Sequence, residues 1–311
     1  MARIFATAEA SPGEPVFALH SALALWGVEG WVGNPDVVVR DENGNRTTRY
    51  PEVQVEREVF PAVKRRRITG LTAAPPVRIH GVLAERLQEL AFQFAARTHP
   101  LEAVVAISGI MRQMAQPGPG ASANRAELAA REPEVREALL SKWDQGVPQA
   151  RPVRSRLALA ASSALCESVG ERVMLYLLST LTSAPISPQL PVTVQGKQFY
   201  LDFALPEQRT AVEFDGVGKL GTTDRQFNDE KQKWAERQGL LLAAGWKLSR
   251  FTWKDIFDLP AARARLALET GLDREPLGEH SRLWVPPPLP TRQWRMGAQP
   301  TIRRTRHSRP R

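Results

Sequence analysis

Asp202 and Glu213 flank a short turn in the stretch Tyr200-Leu-Asp-Phe-Ala-Leu-Pro-Glu-Gln-Arg-Thr-Ala-Val-Glu-Phe-Asp-Gly216, a spacing that could bring two carboxylates together around a cation. Period-two alternation predicts two strands. Phe199, Leu201 and Phe203 point one way and Tyr200, Asp202 and Ala204 the other, while Val212 and Phe214 alternate against Ala211, Glu213 and Asp215. A turn centred on Glu207 and Gln208, flanked by Pro206 and Arg209, sets Asp202 opposite Glu213. Directly opposed residues share a face about 4.5–5.5 Å apart at Cβ, where like charges destabilise the sheet unless something compensates. A divalent cation is one compensation, and a solvated hairpin face is the other reading. The large apolar neighbours favour the cation, because unpaired carboxylates near a core are costly.

The elements that must position this pair form an α+β order. A helix is predicted over residues 169–181, with Val173, Met174, Leu177, Leu178 and Leu181 on its apolar side. Residues 185–194 form a loop entering a strand, the hairpin follows, and a loop at 217–223 leads to a helix over 225–244 that Gly245 terminates. Lys247 to Thr252 reads as a strand, and Trp253-Lys-Asp-Ile-Phe257 opens a last helix. Trp246 and Trp253 are expected to pack beside that strand. Helix, hairpin, helix, strand predicts a mixed sheet between helices.

Upstream, an apolar helical run spans 16–26, and strands are expected at 35–40 and 75–80. Helices are expected at 81–97 and 101–114, and a charged helix pair at 124–143 broken near Pro133. The resulting division is an α+β unit at residues 1–120, a helical linker at 121–160, a second α+β unit at 161–275 and a Pro/Arg-rich tail at 276–311.

With 311 residues and 42% hydrophobic content, the chain can bury a sizeable core. No apolar run approaches the ~18–20 residues of a membrane span. The N-terminal residues lack the pattern of a secretion signal, so a cytoplasmic location is expected. The single cysteine, Cys166, lies in an apolar stretch and reads as a buried inert thiol. No Cys/His spacing supports a structural zinc site. The net charge of +9 resides mostly in the tail, where residues 292–311 hold seven arginines and no acid, leaving +2 for the rest. Such a tail can hold phosphates through counterion release or serve only as a solubilising end. Lys64, Arg65, Arg66 and Arg67, placed between strands, are a more localised candidate for nucleic-acid backbone contact.

Gly170-Glu-Arg172, Phe199 to Pro206, Ala211-Val-Glu-Phe-Asp-Gly-Val-Gly-Lys219, Glu230-Lys231 and Gly245 to Thr252 together resemble bacterial Vsr-like proteins of the PD-(D/E)XK superfamily. The resemblance covers residues 160–260 and implies a restriction-endonuclease-like fold acting on DNA. It implies that Asp202 and Glu213 bind magnesium or manganese, with Asp215 and Glu171 supporting the shell. Glu171 reads equally as a first-turn acid favoured by the helix dipole. The lysine expected two residues after Glu213 is Asp215 here, so Lys219, or Lys231 from the following helix, would assist hydrolysis. Gln189, Lys231, Lys233, Arg237 and Arg250 are candidates for phosphate contact.

Leu19 to Gly27, Arg86 to Ala91 and Ala103 to Ala106 resemble the middle region of AbiEi-type antitoxin-like proteins. Those relatives usually begin with a winged-helix DNA reader, and this sequence is expected to start after it. That likeness implies a possible toxin–antitoxin-type partner. Two functions follow: a metal-dependent endonuclease, or a catalytically degenerate nuclease fold serving as a DNA-binding or antitoxin-like regulator.

Overall fold

Val37-Val-Val39 is an uninterrupted β-branched run, and its burial on both faces places it centrally in a sheet. The computed structural model describes every residue except 42–46, 56–57, 73, 119–121, 147–150, 217–223, 275–277 and 287–311, with backbone alone at 55, 58, 224–231, 233 and 234. The chain opens with α1 (Ala2–Glu9), β1 (Val16–Phe17), α2 (Leu19–Leu25) and β2 (Val37–Arg40). It continues through β3 (Thr48–Tyr50), β4 (Val53–Val55), β5 (Glu58–Phe60), β6 (Val63–Ile68), β7 (Val77–Ile79) and β8 (Val82–Ala84). Six of these strands form a mixed sheet in the order β3-β6-β2-β1-β8-β7, and β4 with β5 forms a separate hairpin.

Three local expectations are corrected here. The helix predicted from residue 16 begins at Leu19, because Val16 and Phe17 pair with β2 on one side and β8 on the other. The helix predicted from residue 81 begins at Leu87, since Val82 to Ala84 complete that pairing. Lys64 to Arg67 lie within β6 instead of between strands.

A layer of helices follows: α3 (Leu87–Arg97), α4 (Pro100–Met114), α5 (Arg125–Asp144), α6 (Pro152–Ala161) and α7 (Val169–Ser179). α4 is apolar nearly all round and is buried along its first twelve residues, as a helix enclosed on every side must be. α5 runs unbroken through Pro133, contrary to expectation. Its neighbours hold that turn from outside: buried Glu132 accepts from Ser163 Oγ at 2.8 Å and Ala164 N at 3.0 Å, and Arg136 bridges Glu132 to the Ala160 carbonyl.

The remaining elements are β9 (Ser187–Val194), β10 (Lys197–Leu205), β11 (Thr210–Asp215), α8 (Asp224–Ala243), β12 (Lys247–Thr252), α9 (Trp253–Ile256) and α10 (Leu259–Thr270). The second sheet has the order β12-β11-β10-β9, with β11 and β12 parallel and the other neighbours antiparallel. α7 packs on one face through Gly170 against Phe214, and α8 covers the other through Leu241. Gly245, at φ 82°, ends α8 in the left-handed region that glycine favours. Trp253 stands edge-on to Phe214 at 5.1 Å, and Trp246 packs on the α8 side.

One apolar core runs from Ile4 to Leu283 through α4, which touches both α3 and α7, so the packing does not divide at residue 120. Arg172 on α7 crosses beside Gly109 of α4 and donates to the Glu29 carbonyl at 3.1 Å. Burial lowers the Arg172 pKa and raises that of the fully enclosed Cys166 thiol. Among the described residues, no helix is long and apolar enough to cross a membrane.

Candidate functional site

The turn closes where the sequence places it. Arg209 N donates to Pro206 O at 3.1 Å, and Phe203 faces Val212, Ala204 faces Ala211 and Leu205 faces Thr210. The ladder then stops. Asp202 Oδ2 accepts the Phe214 N–H at 2.9 Å, so the carboxylate takes the place of a backbone acceptor instead of standing beside Glu213.

On the other side of β10, the pairing with β9 skips Asp202 and Gln189, and Gln189 adopts φ 52°. Leu201 belongs to the α8-side cluster and Phe203 to the α7-side core, although residues two apart in a regular strand share a face. The simple alternation expected through Asp202 is therefore corrected. The strand changes face there, and the premise that Asp202 and Glu213 sit as a directly opposed pair fails.

Each carboxylate has its own company. Gln189 Nε2 lies 3.4 Å from both Asp202 Oδ1 and Glu171 Oε2. Glu171 also joins the cap of α7: its Oε1 accepts from Ser168 Oγ at 2.9 Å, its Oε2 from Glu167 N at 2.8 Å, and Ser168 Oγ accepts the Glu171 N–H at 3.2 Å. Ser168 thereby caps one free amide of the helix start, while Glu171 ties down the cap hydroxyl and the residue before it. Gln189 is 6% exposed, and its Oε1 is buried with no hydrogen-bond partner. A positive φ at a non-glycine residue, together with an orphaned acceptor between two acids, is unusual enough to mark the place.

Glu213 is 2% exposed and faces α8 and β12. Arg237 holds both of its oxygens and donates to the Tyr200 carbonyl at 2.7 Å, while Arg250 Nη2 lies 2.8 Å from Glu213 Oε2. Arg250 Nη1 also reaches Asp215 at 3.1 Å. A buried carboxylate needs such partners, so the compensation expected from a cation comes, for Glu213, from two guanidinium groups. Arg237 and Arg250, expected to meet phosphate, are instead turned onto the buried Glu213, and Arg250 also onto the half-exposed Asp215.

No family model, curated protein or solved structure matches this chain. The roles of its residues therefore rest on their own geometry. Lys219 lies outside the described residues, as do the side chains of Lys231 and Lys233. In β6, alternation divides the basic cluster: Lys64 and Arg66 are exposed, whereas Arg65 turns inward to Ser11 Oγ at 3.0 Å and Arg67 to Asp41 at 2.6 Å. Among the described residues, no group of three or more His, Cys, Asp or Glu side chains is arranged to hold a metal ion.

Sequence reasoning missed Arg125. It opens α5, lies over the Tyr200 ring at 4.6 Å and donates to Glu167 at 2.8 Å. Nothing in its local sequence signals this, because its partners come from distant segments.

Gly170 sets how closely Glu171 approaches the sheet. A Cβ there would meet the Phe214 ring at 2.0–2.5 Å, and that ring is held by Trp253. Gly170→Ala is expected to cost about 1–3 kcal/mol of stability through overpacking, measured by denaturant unfolding. An unchanged midpoint would mean that α7 moves freely on the sheet.

Proposed function

We propose that the second sheet and its helices form a metal-dependent endonuclease-like unit of restriction-endonuclease type, acting on DNA phosphodiester bonds. The observation that carries this reading is the convergence of Asp202 and Glu171 on Gln189, at the point where β10 leaves its ladder. The order of helix, three strands, helix and strand around a mixed sheet supports it.

Two carboxylates and an amide oxygen are hard ligands of the kind magnesium and manganese accept, and these ions retain several waters beside a few protein oxygens. Rotation of the Gln189 amide would exchange its nitrogen for the orphaned Oε1 and turn that acceptor toward both acids. Asp202 is fixed by the Phe214 amide and Glu171 by the cap of α7, so neither needs reorganisation to offer an oxygen. A bound ion would polarise the phosphoryl group and lower the pKa of an attacking water. Arg125, stacked over Tyr200, supplies a cation whose charge interacts with Asp202.

Calorimetric titration with magnesium and manganese tests the reading, run beside nicking of supercoiled DNA. Asp202→Asn is expected to abolish ion binding and nicking while the protein remains folded. Equal ion binding by wild type and Asp202→Asn would defeat the assignment.

A second reading has its own support. Neutralisation of Glu213 by Arg237 and Arg250, with Asp215 where a lysine is expected, favours a fold that has lost cleavage, leaving DNA contact to other basic groups such as the exposed Lys64 and Arg66. That regulator would bind DNA equally in chelator and in magnesium.

A further inference from the structure

Two adjoining cavities lie in the first half of the molecule, away from Asp202. One, of about 640 Å³, is walled chiefly by apolar side chains: Ile4, Leu23, Val28, Val37, Val53 and Phe60. The other, of about 500 Å³, carries Arg66, Arg97 and Glu102. His20, Val32, Pro35 and Asp36 line both and form the partition between them.

The apolar chamber keeps hydrophobic surface uncovered. Val53 and Phe60 face each other across the β4–β5 hairpin, yet remain 45% and 41% exposed. A two-stranded hairpin with no sheet behind it is marginal alone. Here α1 tethers it, with Arg3 Nη2 donating to the carbonyls of Phe60 at 3.2 Å and Pro61 at 2.9 Å. The tether holds the apolar pair at the mouth of the chamber without covering it.

The partition is polar and oriented. His20 Nε2 bonds to Glu102, and its ring stands edge-on to Phe94 at 5.2 Å. Its Nδ1 has no protein partner among the described residues. The residue before it, Leu19, has φ 44°, strained for a bulky side chain, and its amide is held by Gln93 Oε1 at 3.2 Å. Strain maintained by surrounding bonds beside an oriented histidine is characteristic of ligand sites.

The far side sets two guanidinium groups, Arg66 and Arg97, beside two acids, Asp36 and Glu102. Glu102 is engaged by His20, and Asp36 accepts the Lys64 N–H at 2.8 Å. Arg66 is exposed, and Arg97 uses one nitrogen on Thr69, leaving further donors for a guest. Apolar walls with a few convergent polar groups, at this volume, describe a small-molecule pocket.

We propose that this double cavity binds a small organic acid, its apolar tail or ring seated between α1, α2 and the β4–β5 hairpin and its carboxylate directed past His20 toward Arg66 and Arg97. The site is independent of the phosphodiester reading and stands or falls separately.

Octanoate and octanol, titrated calorimetrically against the full chain, test it. Octanoate is expected to bind at least about tenfold more tightly than octanol and to displace the fluorescent probe anilinonaphthalene sulfonate. Ala24→Phe, which fills the chamber from an exposed position on α2, is expected to weaken both ligands about tenfold. Val32→Trp, at the partition, gives a second blocking variant should the first fail to fold. Arg66→Gln with Arg97→Gln is expected to remove the preference for octanoate and leave octanol unchanged. No octanoate binding by wild type, equal affinity for the two ligands, or undiminished binding in both blocking variants would overturn the proposal.

Discussion

Glu213→Ala is expected to destabilise the protein by about 3–5 kcal/mol, a large fraction of the stability of an ordinary domain. The side chain is 3% exposed and carries the negative charge between Arg237 and Arg250, which are themselves only 25% and 17% exposed. Removing the acid leaves two half-enclosed guanidinium groups facing each other across a cavity. Asp215 can take up only Arg250, which it already meets at 3.1 Å. Urea unfolding of wild type and variant measures the loss. Replacing Arg237 by leucine in the Glu213→Leu background is expected to restore much of it, since an apolar pair of similar volume needs no counter-ion. A loss below about 1 kcal/mol would mean that the guanidinium groups reach water instead. The same result bears on assays of the proposed site: a Glu213 variant that binds no ion can report unfolding, whereas Asp202→Asn leaves this network intact.

The second large effect concerns Glu85, which is 0% exposed at the end of β8. Burial pushes its carboxyl up to about 7, opposed by Arg40 and reinforced by Glu89. Arg40 Nη1 stays 3.4 Å away from both oxygens and Gln93 Nε2 3.4 Å from one, too long to hold the charged form firmly. The folded state therefore binds this proton more tightly than the unfolded chain, whose value is about 4.5. Its contribution is fully present below pH ~4.5 and is lost as pH rises through about 7, amounting to about 3 kcal/mol. Glu85→Gln, which mimics the neutral form, is expected to be more stable than wild type near pH ~8 and to lose the slope between those values. Parallel stability–pH curves for the two proteins would refute the assignment.

The parts of this fold that were legible in the sequence are those governed by near neighbours. The Pro206 to Arg209 turn fixes its register by chain connectivity, and the apolar run of α4 declares burial on all sides. The first sheet was obscure because β1 and β8 are two and three residues long and join across more than sixty positions, leaving no periodicity to count. The candidate site was half legible. Asp202 stood out as an acid on a strand, paired there with Glu213, whereas Glu171 entered only through the family resemblance. The kink at Asp202 did not stand out, since no residue-type rule assigns a positive φ to Gln189. Arg250 pairs with Glu213 only once β12 lies parallel to β11, and Arg237 only once α8 covers that sheet. Long-range placement of this kind carries no local signature.

α4 is a wall of both halves at once, walled in turn by α3 on one side and α7 on the other, with Arg172 pinned beneath the Glu29 carbonyl. The molecule is consequently not a pair of interchangeable modules. A grafting experiment that moves the second sheet onto another carrier must take the α4 beam with it, because a cut near residue 120 would bare the oily flank of α7 and leave a cationic stump without its ceiling.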